Sequence, residues 1–386
     1  MTNLQKAISR EISIFTDTLA KDGFTFPSVT KAAFCKARMK LKHSVFVALN
    51  DIVIDEFYKS KLEQTWHGFR IVGIDGTSAT LPSSKEIIEK YGVHSKRKDG
   101  KEISMAQILV IYDTLNHITL AGSVAPFKDS EQSMLWKCLP GLNLKKNDLL
   151  VFDRLFASRL LIFYLEQRGV QFCMRMKVSE WKIVRTFCQS GKENKIITLD
   201  LPQKDEASAT DYGIKKRKMK CRLTRVILPG GEIEILLTSL KNEKIISAAD
   251  LKELYALRWP IENGIKILKH HVCIENFSGK SDESVRQDFY AKILTINLVK
   301  AGCQPLNDGL QKQIGDKKFK QQINNIDAIF TFKCAVVSFF ITKFVSKAIK
   351  RAYQRIINST EPLRPNRKFP RNHQRKRKHY MNYKPV

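Results

Sequence analysis

Two short stretches, FRIVGIDGT at residues 69–77 and DLLVFDRLF at residues 148–156, decide the fold of this chain. Each contains an apolar run with the length of a buried strand, and each run leads into an aspartate, Asp75 or Asp153. Reactive groups of open α/β sheets gather just beyond the carboxyl ends of the strands. If the two strands are neighbours, the two carboxylates lie close together and favour a divalent cation. A single aspartate at a strand end is more often a turn or cap residue, so the pair carries the prediction.

The segments that follow predict a mixed sheet covered by helices. In chain order they predict a hairpin at 103–126, a helix at 129–139, a helix at 158–169 and a strand at 170–177. We expect Asp129 to cap the first of these helices, with Gln132 completing a capping box. The order strand, hairpin, helix, strand, helix, strand is typical of an α/β protein.

The charge balance indicates a polyanionic partner. The chain has 386 residues, with 67 Lys and Arg against 38 Asp and Glu, and a formal net charge of +29. A protein tolerates such self-repulsion most readily when it binds a polyanion. Nucleic acid is therefore the leading class of partner and an anionic membrane surface is the second, while no small-molecule substrate is indicated.

The most apolar run, residues 326–345, is interrupted by Lys333 and Lys343. A bilayer span needs about 20 apolar residues with few charges, so we interpret the run as a buried or partner-facing helix and expect no membrane insertion. The eight cysteines are scattered without metal-site spacing, and the first residues lack a signal-peptide pattern. These features predict a cytoplasmic protein with reduced thiols.

A third carboxylate lies in LYALRWPIENGIKILKHH, residues 254–271. At 3.6 residues per turn, four polar residues of this stretch share one helix face: Arg258, Glu262, Lys266 and Lys269. Pro260 must kink a helix or begin one, so the register of Tyr255 and Arg258 relative to Glu262 is less secure than that between Glu262 and Lys269. A solvated amphipathic helix with ion pairs is the alternative interpretation.

These residues carry a resemblance to a known family. Tyr255, Arg258, Glu262 and Lys269 match in identity and spacing the Y-R-E-K signature of the transposases of bacterial cut-and-paste insertion sequences. The strand-Asp-Gly-Thr motif at Asp75 and the strand-Asp-Arg motif at Asp153 resemble the first and second catalytic aspartate motifs of the same family. The resemblance covers about residues 70–300.

The resemblance implies a DDE transposase with a ribonuclease H-like fold. Asp75, Asp153 and Glu262 are then the catalytic residues and the ligands of two divalent metal ions. Carboxylate ligands suit Mg²⁺, for which Mn²⁺ can substitute. Such an enzyme binds the terminal inverted repeats of its element, cleaves DNA by two-metal phosphoryl transfer and joins the freed 3′-hydroxyl ends to target DNA. The implied partners are double-stranded DNA, both element ends and target, and a second copy of the chain in a synaptic homodimer. The implied location is the bacterial cytoplasm, in association with the nucleoid.

Several basic and aromatic side chains are predicted to contact DNA: Tyr255, Arg258, Trp259, Lys266, Lys269, Arg154 and Arg175. Trp259 suits stacking on a displaced base, although a core position is an equal alternative. Arg154 and Arg175 are weaker candidates, since ion pairs or a sheet edge explain them as well.

Changes in composition and pattern divide the chain into six predicted segments. These are a helical, DNA-binding module at 1–66, the first part of the ribonuclease H-like catalytic core at 67–177, a β-rich insertion at 178–246, the final core helices at 247–303, a helical C-terminal region suited to dimerisation at 304–360, and a basic disordered tail at 361–386. An ordinary amphipathic bundle is the alternative for the first segment. The insertion is expected to begin with a strand, IVRTF at 183–187. The apolar helices near 290–350 are the expected dimer interface.

Two other functions remain open at this point. A catalytically reduced relative would act as a DNA nuclease or as a non-catalytic nucleic-acid-binding protein. A membrane-surface protein would use the basic tail together with the apolar run.

Overall fold

The structure is a computed structural model in which the described residues are 8–21, 23–25, 27–96, 100–228, 230–312, 319–341 and 345–363. Within them the helices are α1 (Ile8–Lys21), α2 (Lys31–Met39), α3 (Ser44–Lys59), α4 (Lys85–Tyr91), α5 (Glu131–Cys138), α6 (Arg159–Gln167), α7 (Lys182–Gln189), α8 (Glu206–Asp211), α9 (Ala248–Ala256), α10 (Pro260–Lys266), α11 (Asp282–Lys312), α12 (Asn325–Ile341) and α13 (Val345–Ile357). A π turn at Ile267–His271 follows α10, and short 3-10 turns lie at Leu139–Gly141, Arg154–Phe156 and Gln203–Asp205.

The strands are β1 (Arg70–Thr80), β2 (Ser95–Lys96), β3 (Glu102–Ile103), β4 (Met105–Asp113), β5 (Ile118–Pro126), β6 (Asp148–Phe152), β7 (Gln171–Met176), β8 (Asn194–Asp200), β9 (Lys218–Ile227), β10 (Ile233–Thr238), β11 (Gln321–Ile323) and β12 (Thr360–Pro362). Eight of them form one sheet in the order β5-β4-β1-β6-β7-β10-β9-β8. The pairs β2–β3 and β11–β12 form two small sheets.

The first five strands of the large sheet have the ribonuclease H-like arrangement. The short turn between β4 and β5 makes these neighbours antiparallel. Hydrogen bonds from Thr114 to Ile71 and from Leu81 to Ser104 join opposite ends of β4 and β1, so this pair is antiparallel as well. Strands β6 and β7 continue parallel to β1. The α/β, ribonuclease H-like fold class predicted from the sequence is confirmed.

The register of β1 on β6 is fixed by a buried ion pair at the start of both strands. Arg70 pairs with Asp148 across the two strands, and its guanidinium donates two hydrogen bonds of 2.7 Å to that carboxylate. Both side chains are almost fully buried. A bidentate pair of this kind specifies the strand register, because both carboxylate oxygens must accept a hydrogen bond from the guanidinium at the same time. A shift of one residue would leave two buried charges unpaired.

Apolar residues cover both faces of this sheet. Alternate residues of β1 and β6 belong to two different clusters, one with Val72 and Leu150 and the other with Ile71 and Leu149. The first cluster also contains most of α6, and the second contains apolar residues of α9. Strands buried on both faces are expected to be continuously apolar, which explains the uninterrupted runs seen in the sequence.

The chain divides into two compact units. We call residues Gln64–Thr77 and Gln107–Ile265 the sheet unit, and residues Met1–Glu63, Ser78–Ala106 and Lys266–Val386 the helical unit. The predicted boundaries of the six segments stay predictions.

Two local expectations in the sheet unit are wrong. The segment 183–187 is part of helix α7 and not a strand. Its apolar residues Val184 and Phe187 are three apart, so one side of a helix buries both. Helix α5 is capped by Ser130, whose side chain accepts the N–H of Ser133, and not by Asp129.

The helical unit is built on the pairing of α3 with α11. Phe46, Ala291 and Leu294 form its apolar contact, and Asn297 donates to Asn50 at 2.7 Å in the buried interface. Helix α12 covers residues 326–341 of the predicted apolar run, and Val345 begins α13. Helix α12 has both buried residues and exposed ones such as Phe330.

No helix among the described residues has the length and apolarity required to cross a membrane. The predicted disordered tail lies outside the described residues from residue 364 onward.

Candidate active site

The first two aspartates lie on the neighbouring parallel strands β1 and β6. Asp153 directly follows β6, but Asp75 lies inside β1, so the expectation that Asp75 ends its strand is wrong. Strand β1 continues to Thr80 because its second half still pairs with β4. In this parallel pair Gly73 is opposite Val151, and Asp75 and Asp153 each follow two residues later. Each carboxylate is held by a local hydrogen bond. Asp75 Oδ1 accepts the N–H of Gly76 at 2.9 Å, and Asp153 Oδ1 accepts the N–H of Leu155 at 2.8 Å. The neighbourhood predicted for the two acids is therefore present.

Glu262 reaches the same site because α10 packs closely on the sheet. A Cβ atom added at Gly73 would lie 3.5 Å from the Cβ of Ile261, and one added at Gly264 would lie 2.9 Å from the ring of Tyr112. Neither glycine has a positive φ. The contact of Gly73 with Ile261 is an ordinary one, whereas the ring of Tyr112 leaves no room for a side chain at Gly264. The close approach of Gly264 to Tyr112 thus holds α10 against β4.

Pro260 separates the two halves of the predicted helix. Helix α9 ends at Ala256 and α10 begins at Pro260, the first helical position at which proline is favourable. Tyr255 therefore belongs to α9, whereas Glu262 belongs to α10. The expected regular face does not continue through Lys269, because a π turn replaces the α-helix from Ile267. π turns occur frequently at functional sites.

The guanidinium of Arg258 lies between two of the three acids. Its Nη1 atom is 3.6 Å from Asp75 Oδ2, and its Nη2 atom is 3.6 Å from Glu262 Oε1. Arg258 is only 8% exposed, and its Nε atom has no hydrogen-bond partner among the residues that the structure describes. A buried cation therefore faces the acidic site.

The acids influence one another electrostatically. Burial raises the pKa of Asp75, and the negative charges of Asp153 and Glu262 raise it further. The hydrogen bond from Gly76 and the charge of Arg258 act in the opposite direction on this pKa. A raised carboxyl pKa in a cleft is typical of a functional site, because it marks charge that the protein alone does not compensate.

A fourth carboxylate, Glu131, also belongs to this site and was missed in the sequence. It is the first residue of α5, and its side chain lies directly against Gly76. Burial raises the pKa of Glu131 to about 7, and Asp75 and Asp153 contribute to the rise. An acid at the start of a helix is so common that this position gave no signal of an inward-facing carboxylate.

The other predicted DNA contacts in the sheet unit differ in exposure. Trp259 is 50% exposed, which excludes the core alternative, and Arg154 is exposed on the turn after Asp153. Tyr255 is buried, and burial raises the pKa of its hydroxyl. Arg175 is partly buried and forms a 2.7 Å ion pair with Glu234, which matches the ion-pair alternative to a DNA contact.

Lys266 and Lys269 belong to the helical unit. Lys266 is the exposed last residue of α10, and Lys269 is a half-buried residue of the π turn. Their roles as DNA contacts stay predictions.

The acids fit a hard divalent cation by their chemistry. All four offer carboxylate oxygens, the donor type that Mg²⁺ and Mn²⁺ prefer. Arg258 shows that a positive charge is accommodated between Asp75 and Glu262. Over the described ranges, however, no three His, Cys, Asp or Glu side chains form a ready-made metal-binding group. The donor set fits, and the geometry for an ion is not preformed.

Comparison with known proteins defines the family. The sequence profile described as "Transposase DDE domain" matches residues 66–298, more than half of the chain. This chain therefore belongs to the family of transposases with a DDE domain.

Two individual proteins are similar to this chain, at 28% and 8% sequence identity. The Escherichia coli (strain K12) protein InsZ, which is named as a transposase, is 28% identical over 109 residues, covering 28% of this chain. The chain spans 36% of the length of that protein. A cryo-EM structure of a piggyBac transposase synaptic complex with hairpin DNA aligns with 92% of this chain and 84% of its own, at 8% identity and a TM-score of 0.43.

Proposed function

We propose that this protein is a DNA transposase that binds the terminal inverted repeats of an insertion sequence, cleaves the DNA there and joins the freed 3′-hydroxyl ends to target DNA. The observation that carries the proposal is the placement of Asp75 and Asp153 on neighbouring parallel strands, each two residues beyond the last paired residues, with Glu262 linked to Asp75 through Arg258. Membership of the DDE-domain family supports it independently.

In the proposed mechanism Asp75, Asp153 and Glu262 hold two divalent ions, Mg²⁺ or Mn²⁺. When bound, such ions supply positive charge for the attacking and leaving oxygens of an in-line displacement at phosphorus. The chain's own contribution is the arrangement of the donors. The parallel strands β1 and β6 fix the aspartates, and the close packing of α10 on the sheet fixes Glu262.

The basic and aromatic side chains predicted from the sequence are proposed to hold DNA. Trp259 presents an indole face to solvent beside Arg258, which suits stacking on an unpaired base. Arg154 and Lys266 present exposed charges for phosphates, and Lys269 follows in the π turn. Three of the predicted contacts are partly or fully buried beside other charged groups: Tyr255, Arg258 and Arg175. A contact of one of these side chains with a phosphate would replace its interaction with the present neighbour.

We also propose that the active form is a homodimer bound to two element ends, with helices from 290–350 at its interface, and that it acts on the bacterial nucleoid in the cytoplasm. Cleavage of both ends in one complex requires two active sites, which a dimer supplies. The net charge of +29 supports binding to DNA.

The test is incubation of the full-length protein with a DNA fragment that carries the ends of its own element and with a supercoiled target plasmid. Both strands of the products are sized with Mg²⁺, with Mn²⁺ and with EDTA. We expect cuts at the element ends and joined products only when a divalent ion is present.

The variants Asp75→Asn, Asp153→Asn and Glu262→Gln should each abolish cleavage while leaving the melting temperature Tm close to that of the wild type. Asp200→Asn is the matched control, because Asp200 is an aspartate of strand β8 in the same sheet but is exposed. Nicking of the plasmid without joined products would favour the catalytically reduced nuclease. Unchanged activity of the double variant D75N/D153N would refute the assignment of the acids.

A further inference from the structure

The carboxyl group of Glu131 occupies the space where residue 76 would carry a side chain. A Cβ atom added at Gly76 would lie 2.1 Å from Glu131 Oε1 and 2.2 Å from its Cδ. Gly76 does not have a positive φ, so backbone freedom does not explain a glycine here. The absence of a side chain at position 76 leaves the space that the Glu131 carboxyl group occupies.

A second contact fixes the direction of this carboxyl group. Gln107 of β4, the neighbour of β1, donates from Nε2 to Glu131 Oε1 at 3.1 Å. The carboxyl group is thus held between a strand backbone on one side and an amide on the other. Both contacts lie within the sheet unit.

No positive charge balances Glu131 in the described part of the chain, where it has no ion-pair partner. The charged groups that act on its carboxyl group are Asp75, which adjoins Gly76, and Asp153, the first and second acids of the site. A half-buried carboxylate beside two others is unfavourable unless a cation joins them. Arg258 lies beside Asp75 and Glu262, and it makes no ion pair with Glu131.

The start of a helix alone does not explain this placement. A glutamate in the first turn of α5 is favourable with respect to the helix dipole. That interaction is satisfied by an exposed side chain, and it requires neither the hydrogen bond from Gln107 nor a glycine at position 76.

We propose that Glu131 is a positioning residue of the metal site, whose negative charge, held against Gly76, strengthens the binding of divalent cations by Asp75 and Asp153. The inference rests on the proposed function, because it takes these two aspartates as metal ligands. Groups that stand behind metal ligands typically change metal affinity by about 10–100-fold when they are removed.

The experiment is titration of the DNA-free, full-length protein with Mn²⁺. Binding is measured by calorimetry and by the electron paramagnetic resonance signal of free Mn²⁺. Glu131→Gln keeps the shape and an oxygen that accepts from Gln107, and it removes only the charge. We expect the dissociation constant for Mn²⁺ to rise by about 10-fold in E131Q, with no fall in Tm. Glu131→Asp keeps the charge and should stay within about threefold of the wild type.

Glu206→Gln is the matched control, because Glu206 is also the first residue of a helix in the sheet unit but lies on the surface with Arg217. It should bind Mn²⁺ as the wild type does. Equal affinity of E131Q and wild type, or equal losses in E131Q and E131D, would overturn the role of the Glu131 charge. Asp75→Asn separates this failure from a failure of the proposed function: if D75N binds Mn²⁺ as tightly as the wild type, the metal site itself is wrong.

Discussion

The Nη1 atom of Arg258 lies 3.6 Å from the Oδ2 atom of Asp75. The other terminal nitrogen of this guanidinium is 3.6 Å from Glu262 Oε1, so one buried cation faces two of the three acids. At these distances the attraction is electrostatic and not a hydrogen bond. Arg258 and a divalent ion are thus attracted by the same negative charge, so each reduces the electrostatic stabilisation that the other provides.

The first prediction concerns Arg258→Gln. Without the guanidinium, the repulsion between Asp75 and Glu262 is uncompensated, so we expect a lower Tm in EDTA than for the wild type. Mn²⁺ should then raise Tm by more in the variant, because the ion has no internal competitor. Fluorimetric melting over a series of Mn²⁺ concentrations measures both effects.

Arg217→Gln is the control for this prediction, since Arg217 forms an exposed ion pair with Glu206 in the same unit. Exposed pairs contribute only about 0–1 kcal/mol, so R217Q should melt and respond to Mn²⁺ like the wild type. An identical Mn²⁺ response of R258Q and wild type would show that Arg258 does not compete with the ion.

The second prediction is that Gly264→Ala destabilises the protein although alanine is the better helix former. Its Cβ would lie 2.9 Å from the buried ring of Tyr112, so α10 must move away from the sheet. Overpacking of this kind costs about 1–3 kcal/mol. We expect a lower Tm and a larger loss of DNA cleavage, since Glu262 moves with α10.

Gly302→Ala in α11 is the matched control substitution, and it should raise Tm where Gly264→Ala lowers it. Nothing lies within 4 Å of a Cβ at Gly302, so only helix propensity changes, and it favours alanine by about 0.5–1 kcal/mol. A rise in Tm for both variants would contradict the close approach of α10 to the sheet.

The third prediction concerns Gly76→Ala. The new methyl group cannot coexist with the present position of the Glu131 carboxyl group, and the flexible end of that side chain is what must move. We expect a small change in Tm and a loss of Mn²⁺ affinity similar to that of Glu131→Gln. Because both changes act through one carboxyl group, the double variant should lose little more than either single variant. Additive losses in the Mn²⁺ titration would indicate two separate effects.

The fourth prediction concerns pH and a buried lysine of the helical unit. Lys292 donates to the carbonyl oxygens of Cys273 and Asn276, both at 2.9 Å, and burial lowers its pKa from 10.5 to about 8. Between these two values the unfolded chain binds more protons at this residue than the folded protein does. The contribution of Lys292 to the free energy of unfolding therefore rises with pH from about 8 to 10.5, by up to about 3 kcal/mol.

Urea unfolding of wild type and Lys292→Met at several pH values measures this contribution as a difference. The wild type should gain stability relative to K292M as the pH rises through the window, with no trend below pH 8. Lys204→Met, at an exposed position, is the control and should give a difference independent of pH. A flat difference for K292M would mean that Lys292 is not buried as described.

The sequence by itself determined the parts of this protein that depend on short segments of chain. The apolar runs before Asp75 and Asp153 are strands because branched apolar residues buried on both sheet faces favour that conformation. Asp153 follows its strand as predicted, whereas β1 continues past Asp75 to Thr80. Pro260 begins a helix because its ring and missing N–H allow little else. The Y-R-E-K signature adds the identity of the third acid, Glu262.

Only the tertiary structure decided which side chains meet across large separations in the chain. The approach of Glu131 to Gly76 and the position of Arg258 between two acids depend on how α5 and α10 pack on the sheet. The segment 183–187 shows the same limit, because its apolar spacing fits a strand or a helix and burial of Val184 and Phe187 together selects the helix. Local sequence fixes backbone preference, whereas the environment of a charged group is set by residues that folding brings to it.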